Sequence, residues 1–215
     1  LDEETLDMLV TEAVKFARTE IDPLQEIGEK WGVRFEDGKV SCAPEFQKAF
    51  KLYGENGWIA AARDPEYGGQ GFPHMMRIVL NDFMYGADQS FNMAPSLTSG
   101  AADLIYTFGS DELKERFVRK MLSGEWAGTM ALTEPNAGSD LSALRTTAIP
   151  EGDHYRIRGT KLFISWGDHD LTENIVHLLL ARIQGAPASV SGSFRRHRLA
   201  WASSTRAERH QSTPR

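Results

Sequence analysis

Apolar side chains recur every three or four positions through the first half of the chain, which is the spacing of one face of an α-helix. The first such face follows acidic residues at positions 2–4, where a helix dipole favours negative charge. Asp22-Pro23 is predicted to end this helix, and residues 28–39 are predicted to form an irregular connection. The apolar face consists of Leu6, Leu9, Ala13 and Phe16.

The same period predicts four further helices. One begins at Pro44, because a proline in the first turn of a helix loses no hydrogen bond. The others are predicted over residues 74–85, over residues 95–108 and from a cap at Ser110. The helix over 95–108 is rich in Ala, Ser and Gly, which allow close approach of a neighbouring helix or of a long thin ligand. The core face of the Pro44 helix is Phe46, Phe50 and Tyr53.

Beyond residue 126 the helical period disappears and short strands are predicted. Residues 146–149 and 155–158 alternate around a turn-forming loop and predict a hairpin. Residues 161–165 are predicted as a further strand. Residues 175–182 are apolar on both faces apart from one His, which is typical of a central strand.

Helices followed by short strands predict an α+β fold of two packed units. We expect a helical domain over residues 1–125, a small and incomplete β domain over 126–188, and a distinct segment over 189–215. In that segment a last short strand is possible at 189–194. Residues 191–215 contain six Arg, one Glu and few apolar side chains, so the segment is expected to be disordered or out of frame.

Composition narrows the class of protein. A chain of 215 residues with 41% hydrophobic and 25% charged residues is typical of a globular protein, and no apolar run is long enough to span a bilayer. The net charge is −6, and the first 190 residues carry 18 basic against 29 acidic groups, which argues against nucleic acid as a partner. One cysteine, Cys42, excludes an internal disulfide and favours a reducing, cytoplasmic location; it is expected to be a small packed side chain and not a nucleophile. Leu1 is not an initiator methionine, so the numbered chain is expected to start downstream of the true beginning.

The stretch over residues 130–140 carries the clearest candidate chemistry. A short apolar run, which suits a buried strand, is followed by turn formers, in which Pro135 fixes φ, Asn136 tolerates left-handed geometry and Gly138 allows close backbone approach. Exposed amide donors beside the hydroxyls of Thr133 and Ser139 would suit an anionic or carbonyl-rich ligand. The alternative is an ordinary surface turn.

Other candidate sites have weaker patterns. The glycine-rich loop at 63–72 lacks the Lys-Ser/Thr ending of a phosphate-binding loop and is expected to connect two helices. Ser139 is not in a nucleophile elbow, and Glu134 is either a base or a turn carboxylate. A cluster of possible metal ligands consists of Asp168, His169, Asp170, Glu173 and His177. Its spacing matches no common zinc or calcium loop, and a metal site is the alternative interpretation of these residues.

Three motifs together resemble one family. Residues 132–140 resemble the Thr-Glu-Pro-x-Ala-Gly-Ser-Asp signature of the acyl-CoA dehydrogenases, and residues 155–165 resemble their second motif, x-Gly-x-Lys-x-(Trp/Phe)-Ile-(Thr/Ser). Residues 65–71 are similar to their Pro-x-x-Tyr-Gly-Gly-x-Gly loop, and residues 167–174 are similar to a run in the larger bacterial members, which include thioether-acyl enzymes.

The resemblance implies an FAD-dependent oxidoreductase of fatty acid β-oxidation that dehydrogenates an acyl-CoA thioester. Its electron acceptor would be electron-transfer flavoprotein or a similar protein, and the family forms homo-oligomers. The helix from Pro95 would border the acyl channel, and Ser139 would also touch the coenzyme A of the substrate. The flavin would be bound by residues of both motifs. These residues are Met130, Leu132, Thr133, Gly138, Phe163, Ile164 and Ser165.

The resemblance extends only to about Pro187. In the family a C-terminal helical bundle follows the β domain and supplies the catalytic glutamate, and nothing after Pro187 matches it. We expect that the chain is truncated or leaves the family reading frame there, and that it has little or no turnover by itself. Two alternatives are a noncatalytic flavin or acyl-CoA binding module and a part that is completed by a second polypeptide.

Overall fold

The computed structural model describes residues 2–185 and 198–205. A helical domain comes first, and a β domain follows from residue 126. This order confirms the predicted α+β fold. The helices are α1 Glu3–Phe16, α2 Asp22–Trp31, α3 Pro44–Glu55, α4 His74–Ala87, α5 Gln89–Phe108, α6 Asp111–Leu113 and α7 Arg119–Leu122; the strands are β1 Arg34–Glu36, β2 Lys39–Ser41, β3 Trp126–Ala131, β4 Thr147–Glu151, β5 His154–Arg158, β6 Asn174–Ile183 and β7 Arg198–Thr205.

The first two helices form one continuous rod, which the sequence did not predict. A π-helical turn, Ala17–Ile21, joins α1 to α2, and Pro23 lies in the first turn of α2. Proline has no backbone N–H to donate, but Pro23 closely follows the π-helical turn, where the regular helical bonding is already interrupted, so it does not end the helical segment. The Asp2 carboxylate caps α1 by accepting from Thr5 N at 2.8 Å.

The predicted irregular connection over 28–39 is also more regular than expected. Helix α2 continues to Trp31, and β1 and β2 form a short antiparallel hairpin around Asp37 and Gly38, both at positive φ. Positive φ at both turn residues matches the right-handed twist of a tight hairpin, which the Asp-Gly pair signals in the sequence.

The other helix predictions agree with the structure, with shifted ends. Helix α4 covers the predicted 74–85, and Ser110 caps the last helical run by accepting from Leu113 N at 3.4 Å. Helix α5 begins six residues earlier than predicted, with Pro95 inside it. Asp88 caps it by accepting from Phe91 N at 3.0 Å, and this cap was missed because Pro95 was interpreted as the start.

Beside a smaller apolar cluster of Ala137, Leu144 and Leu180, a large apolar core runs through both domains. It joins Phe50, Phe91 and Phe117 of the helical domain to Ile175 and Leu178 of β6, and each of these side chains is at most 2% exposed. Full burial of one such side chain stabilises the fold by roughly 1.5–3 kcal/mol. The two domains therefore share their hydrophobic stabilisation.

Strand β6 lies at the centre of the sheet, as predicted from its apolar faces. It pairs in parallel with β3, with Trp126 opposite Asn174 and Ala131 opposite Leu179. Its end pairs in parallel with β4, which forms the predicted antiparallel hairpin with β5. The backbone of β7 pairs antiparallel along β6.

Two expectations for the β domain differ from the structure. Residues 161–165 do not form a strand, because Phe163 in the middle of them has a positive φ of 57°, which breaks an extended backbone. Residues 198–205, in the segment expected to be disordered or out of frame, form β7, since pairing with β6 supplies backbone hydrogen bonds that side-chain composition does not reveal. The possible strand at 189–194 lies outside the described residues.

Candidate functional site

Strand β3 leads into the candidate site as the sequence predicts. It ends at Ala131, and a tight turn follows. Two backbone hydrogen bonds close this turn: Glu134 N donates to Ala137 O at 2.9 Å, and Ala137 N donates to Glu134 O at 3.1 Å. The amides of Glu134 and Ala137 therefore bond within the turn, and they are not the exposed donors that the sequence predicted. Neither Asn136 nor Gly138 has positive φ; instead the Asn136 amide donates to Ala143 O at 2.7 Å.

The buried carboxylate of Glu134 organises this turn. It is 3% exposed and accepts from Arg145 N at 2.6 Å, from Thr146 N at 3.0 Å and from Lys161 Nζ at 2.8 Å. Burial alone raises the pKa of Glu134, but the bonds from Arg145, Lys161 and Thr146 outweigh it and lower the pKa to about 2. Glu134 is thus an ionised turn carboxylate whose oxygens are engaged, which does not suit a base.

Lys161 connects the two sequence motifs. Its ammonium group bonds Glu134 Oε1 and also donates to Leu132 O, each at 2.8 Å, and its side chain is only 9% exposed. Next to it, Leu162 N donates to Thr133 O at 3.0 Å. We name this arrangement of Glu134, Lys161 and the Leu162–Thr133 backbone bond the clasp. Sequence reasoning assigned Lys161 no role, although a lysine inside an otherwise apolar run signals a buried partner.

The segment after the clasp presents an unusual surface. Phe163 is 90% exposed at a φ of 57°, and Ser165 is also exposed. Left-handed backbone at a bulky residue is strained, and such strain is found at ligand sites. The turn at Gly167, whose amide donates to Ile164 O at 3.0 Å, holds this conformation together with the Trp166 indole, which donates to Ser90 O at 2.9 Å.

The predicted flavin residues lie on the two segments that the clasp joins. Met130, Leu132 and Thr133 are partly buried at the end of β3, and Ile164 is partly buried on the facing segment. Gly138 and Ser139 are exposed on the turn. An exposed aromatic ring, two hydroxyls and partly buried apolar side chains fit a flat ring system with polar edges, as the predicted cofactor has.

Gly138 is open to close approach. A Cβ atom built on Gly138 has no atom within 4 Å, so the protein itself does not require glycine there. At the edge of the turn, Asp140 accepts from Ser142 N at 2.8 Å, and this bond lowers its pKa.

The remaining candidate residues are engaged elsewhere. Burial raises the pKa of the Cys42 thiol to about 12, which does not suit a nucleophile. Asp170 accepts from Cys42 N at 2.8 Å, and Glu173 accepts from the Trp126 indole at 3.1 Å. His177 lies 2.7 Å from the Thr129 hydroxyl. Within the described ranges no three metal-binding side chains converge.

The glycine-rich loop at 63–72 connects α3 to α4, as the sequence predicts. It is held against α5 by Arg63, which pairs with Asp103 and donates to Ser99 O at 3.2 Å.

No described helix combines the length and the hydrophobicity that crossing a membrane requires.

Two family models match this chain. The model described as "Acyl-CoA dehydrogenase, N-terminal domain" matches residues 3–125, and the model described as "Acyl-CoA dehydrogenase, middle domain" matches residues 129–193. The chain belongs to the acyl-CoA dehydrogenase family, as its three motifs indicated. FAD is the cofactor of this family, which agrees with the cofactor that the resemblance implied.

Individual relatives support the same assignment. The chain is 44% identical to 3-methylmercaptopropionyl-CoA dehydrogenase of Ruegeria pomeroyi over 83% of this chain and 30% of that protein. It is 37% identical to a butyryl-CoA dehydrogenase of Syntrophomonas wolfei over 88% of this chain and 32% of that protein. The chain thus spans about a third of the length of these curated relatives.

A solved structure shows the same fold. The acyl-CoA dehydrogenase from Geobacillus kaustophilus superimposes with a TM-score of 0.75 and 26% identity, over 96% of this chain and 49% of that chain. The sequence interpretation of a helical and a β domain of this family is therefore confirmed.

Proposed function

We propose that this chain forms one wall of the FAD site of an acyl-CoA dehydrogenase that oxidises the α,β bond of an acyl-CoA thioester. The observation that supports this proposal is the clasp, because it joins the two predicted flavin motifs by direct hydrogen bonds. Residues 1–125, 126–188 and 189–215 remain our proposed division of the chain. Electron-transfer flavoprotein or a similar acceptor, a homo-oligomeric state and a cytoplasmic location in fatty acid β-oxidation are part of the same proposal.

Each residue of the site has a defined role in this proposal. Thr133 and Ser165 offer hydroxyls to the polar edge of the ring, Phe163 covers its face, and Met130, Leu132 and Ile164 exclude water. Gly138 leaves room at the turn, and Ser139 contacts the coenzyme A part of the substrate. Helix α5 from Pro95 borders the acyl group. Bound FAD would accept the hydrogen that leaves the β carbon together with its two electrons.

We also propose that the chain alone binds ligands without turnover. The reaction needs a carboxylate that removes the α proton, and at the described surface Glu134 is held ionised by three donors. A base supplied by chain outside these 215 residues agrees with the family resemblance. The alternative, a noncatalytic binding module, predicts the same binding but no activity in any longer form of the protein.

FAD titration of the purified chain tests the proposal. We expect Phe163→Ala to weaken FAD binding by about tenfold, because an aromatic contact and its buried area are lost. Phe35→Ala is the matched control: Phe35 is also exposed, at 67%, but lies on the β1–β2 hairpin and should leave FAD affinity unchanged. Flavin fluorescence measures both affinities.

The outcomes separate the alternatives. Equal FAD affinities for the wild type and Phe163→Ala would contradict the assigned flavin surface. Bleaching of the flavin absorbance by an acyl-CoA would contradict the absence of turnover. Resequencing of the gene tests the hypothesis that the chain leaves the family reading frame. The hypothesis fails if neither of the other two frames beyond the Pro187 codon encodes an apolar strand followed by helices.

A further inference from the structure

The segment over residues 161–167, which contains Phe163 and Ser165, is fixed at its two ends by different domains. The clasp bonds its start to the β domain. At its end, Trp166 Nε1 donates to Ser90 O at 2.9 Å, and Ser90 lies in the first turn of α5. The surface that we assign to the flavin is therefore held between the β domain and the helical domain.

The backbone between these two points is strained. Phe163 and Trp166 have φ values of 57° and 52°, in the left-handed region that bulky residues rarely adopt. The ring of Phe163 is 90% exposed, so its own packing does not compensate for this strain. A strained backbone persists only where its surroundings fix it. The contacts that maintain this conformation must therefore lie at the ends of the segment.

The side chain of Trp166 makes the contacts at the second end. Its ring packs against Phe46 of α3 and against His169, with ring centroids 6.3 Å and 5.7 Å apart. Its N–H bond to Ser90 O is directional, so it fixes the orientation of the ring as well as its position. A backbone that is held at Trp166 in this way also fixes where the exposed side chains before it point.

We propose that Trp166 is a positioning residue for the cofactor: through its bond to Ser90 it holds Phe163 and Ser165 in the conformation that receives the flavin. The inference rests on the proposed function, because it takes these two residues as flavin contacts. Trp166 acts through the backbone and not by contact with the flavin. A binding surface that is already ordered strengthens binding, since the ligand does not have to order it. The helical domain thus contributes to FAD affinity through one hydrogen bond to the segment.

FAD titration of Trp166→Phe tests this role, because phenylalanine keeps an aromatic ring and removes the indole N–H. We expect the dissociation constant of FAD to rise about fivefold, because the loss of one hydrogen bond lowers the share of the binding conformation by a factor of this size. Trp126→Phe is the matched control. The Trp126 indole donates to Glu173 at 3.1 Å, and neither residue belongs to the segment, so its loss should leave FAD affinity unchanged.

A double variant shows whether Trp166 acts through Phe163. The separate changes are expected to weaken FAD binding about fivefold and about tenfold, and independent effects would multiply to about fiftyfold. We expect Trp166→Phe combined with Phe163→Ala to weaken binding by less than about twentyfold, because the ring that Trp166 positions is then absent. A general loss of stability would weaken binding equally with and without Phe163, so this measurement separates positioning from a merely structural role.

Gly167→Ala disturbs the same turn without changing a tryptophan. Gly167 N donates to Ile164 O at 3.0 Å, and a Cβ on Gly167 would lie 3.0 Å from this oxygen and 3.2 Å from Ile164 Cβ. The turn must widen to admit the methyl group, so we expect a loss of FAD affinity here as well. This variant decides the proposal if Trp166→Phe does not give a native circular dichroism spectrum.

The outcomes distinguish this inference from the proposed function. Unchanged FAD affinity in a natively folded Trp166→Phe, an equal loss in Trp126→Phe, or a fully multiplied loss in the double variant would overturn the positioning role. Unchanged affinity in Gly167→Ala would overturn it where Trp166→Phe does not fold. A loss in Phe163→Ala without a loss in Trp166→Phe refutes only this inference, whereas no FAD binding by the wild type, or no loss in Phe163→Ala, refutes the proposed function and this inference with it.

Discussion

Glu134 shows how one side chain can determine the geometry of a site. Its carboxylate connects the turn after β3, the residues Arg145 and Thr146 just before β4, and the segment that begins at Lys161. The sequence signature marks Glu134 as part of a motif but does not show what the carboxylate contacts. Removing one partner of a buried ion pair leaves the other charge uncompensated, which is strongly destabilising.

Stability at acid pH should depend on Glu134. Its folded-state pKa of about 2 lies below the ordinary value of 4.5, so its contribution is complete above pH 4.5 and is lost as the pH falls toward 2. The shift corresponds to roughly 3 kcal/mol. We expect Glu134→Gln to lower the free energy of unfolding by about 3 kcal/mol at pH 7 and to remove this part of the pH dependence. Urea denaturation at pH 7 and pH 3 measures it.

Asp140→Asn is the control for that experiment. The pKa of the Asp140 carboxylate is also lowered, by the hydrogen bond from Ser142, but this carboxylate is exposed. We expect little change in stability at either pH. A Glu134→Gln variant that lost no more stability than Asp140→Asn would contradict the structural role of the buried carboxylate.

At the scale of elements, the contact between α5 and β3 sets the position of the site strand. The Thr98 hydroxyl donates to Ala94 O at 2.8 Å and accepts from Gly128 N at 3.0 Å, so the helix bonds directly to the strand backbone. The small residues of α5 therefore serve close packing against β3. The sequence suggested close approach to a helix or a ligand and did not identify the strand as the neighbour.

Two glycine substitutions should differ in their effect on the stability of the fold. A Cβ on Gly128 would lie 2.5 Å from Met121 Cε and 2.8 Å from Ala101 Cβ, so we expect Gly128→Ala to destabilise the fold by about 1–3 kcal/mol. Gly138→Ala meets no atom within 4 Å and has no positive φ, so its stability should be unchanged. Thermal denaturation compares them, and a stable Gly128→Ala variant would show that the packing has more space than the distances indicate.

At the scale of the whole molecule, the two domains share contacts that tie their unfolding together. The Trp166 indole donates to Ser90 O, and the Asp170 carboxylate accepts from Cys42 N, so the loop before β6 is bonded to the helical domain at two points. The continuous core adds apolar contacts across the same boundary. The separate domains of the family models are thus joined in one hydrophobic core.

One cooperative unfolding transition follows from this shared core. Far-ultraviolet circular dichroism reports mainly on the helices, and a urea titration followed by this signal and by tryptophan fluorescence should give coincident midpoints. We expect Trp166→Phe to lower the free energy of unfolding by about 1 kcal/mol, because one hydrogen bond is lost, and to shift both midpoints together. Two resolved transitions would show that the domains unfold independently.

The sequence by itself determined the local features of this protein. Hydrophobic spacing predicted the helices and the central strand β6, and three motifs identified the family, because both depend on residues close together in the chain. Only the tertiary structure decided that Lys161 reaches Glu134, that Phe163 points into solvent, and that the Trp166 indole reaches Ser90. Those contacts join residues far apart in sequence, and they depend on how the elements pack, which no local pattern specifies.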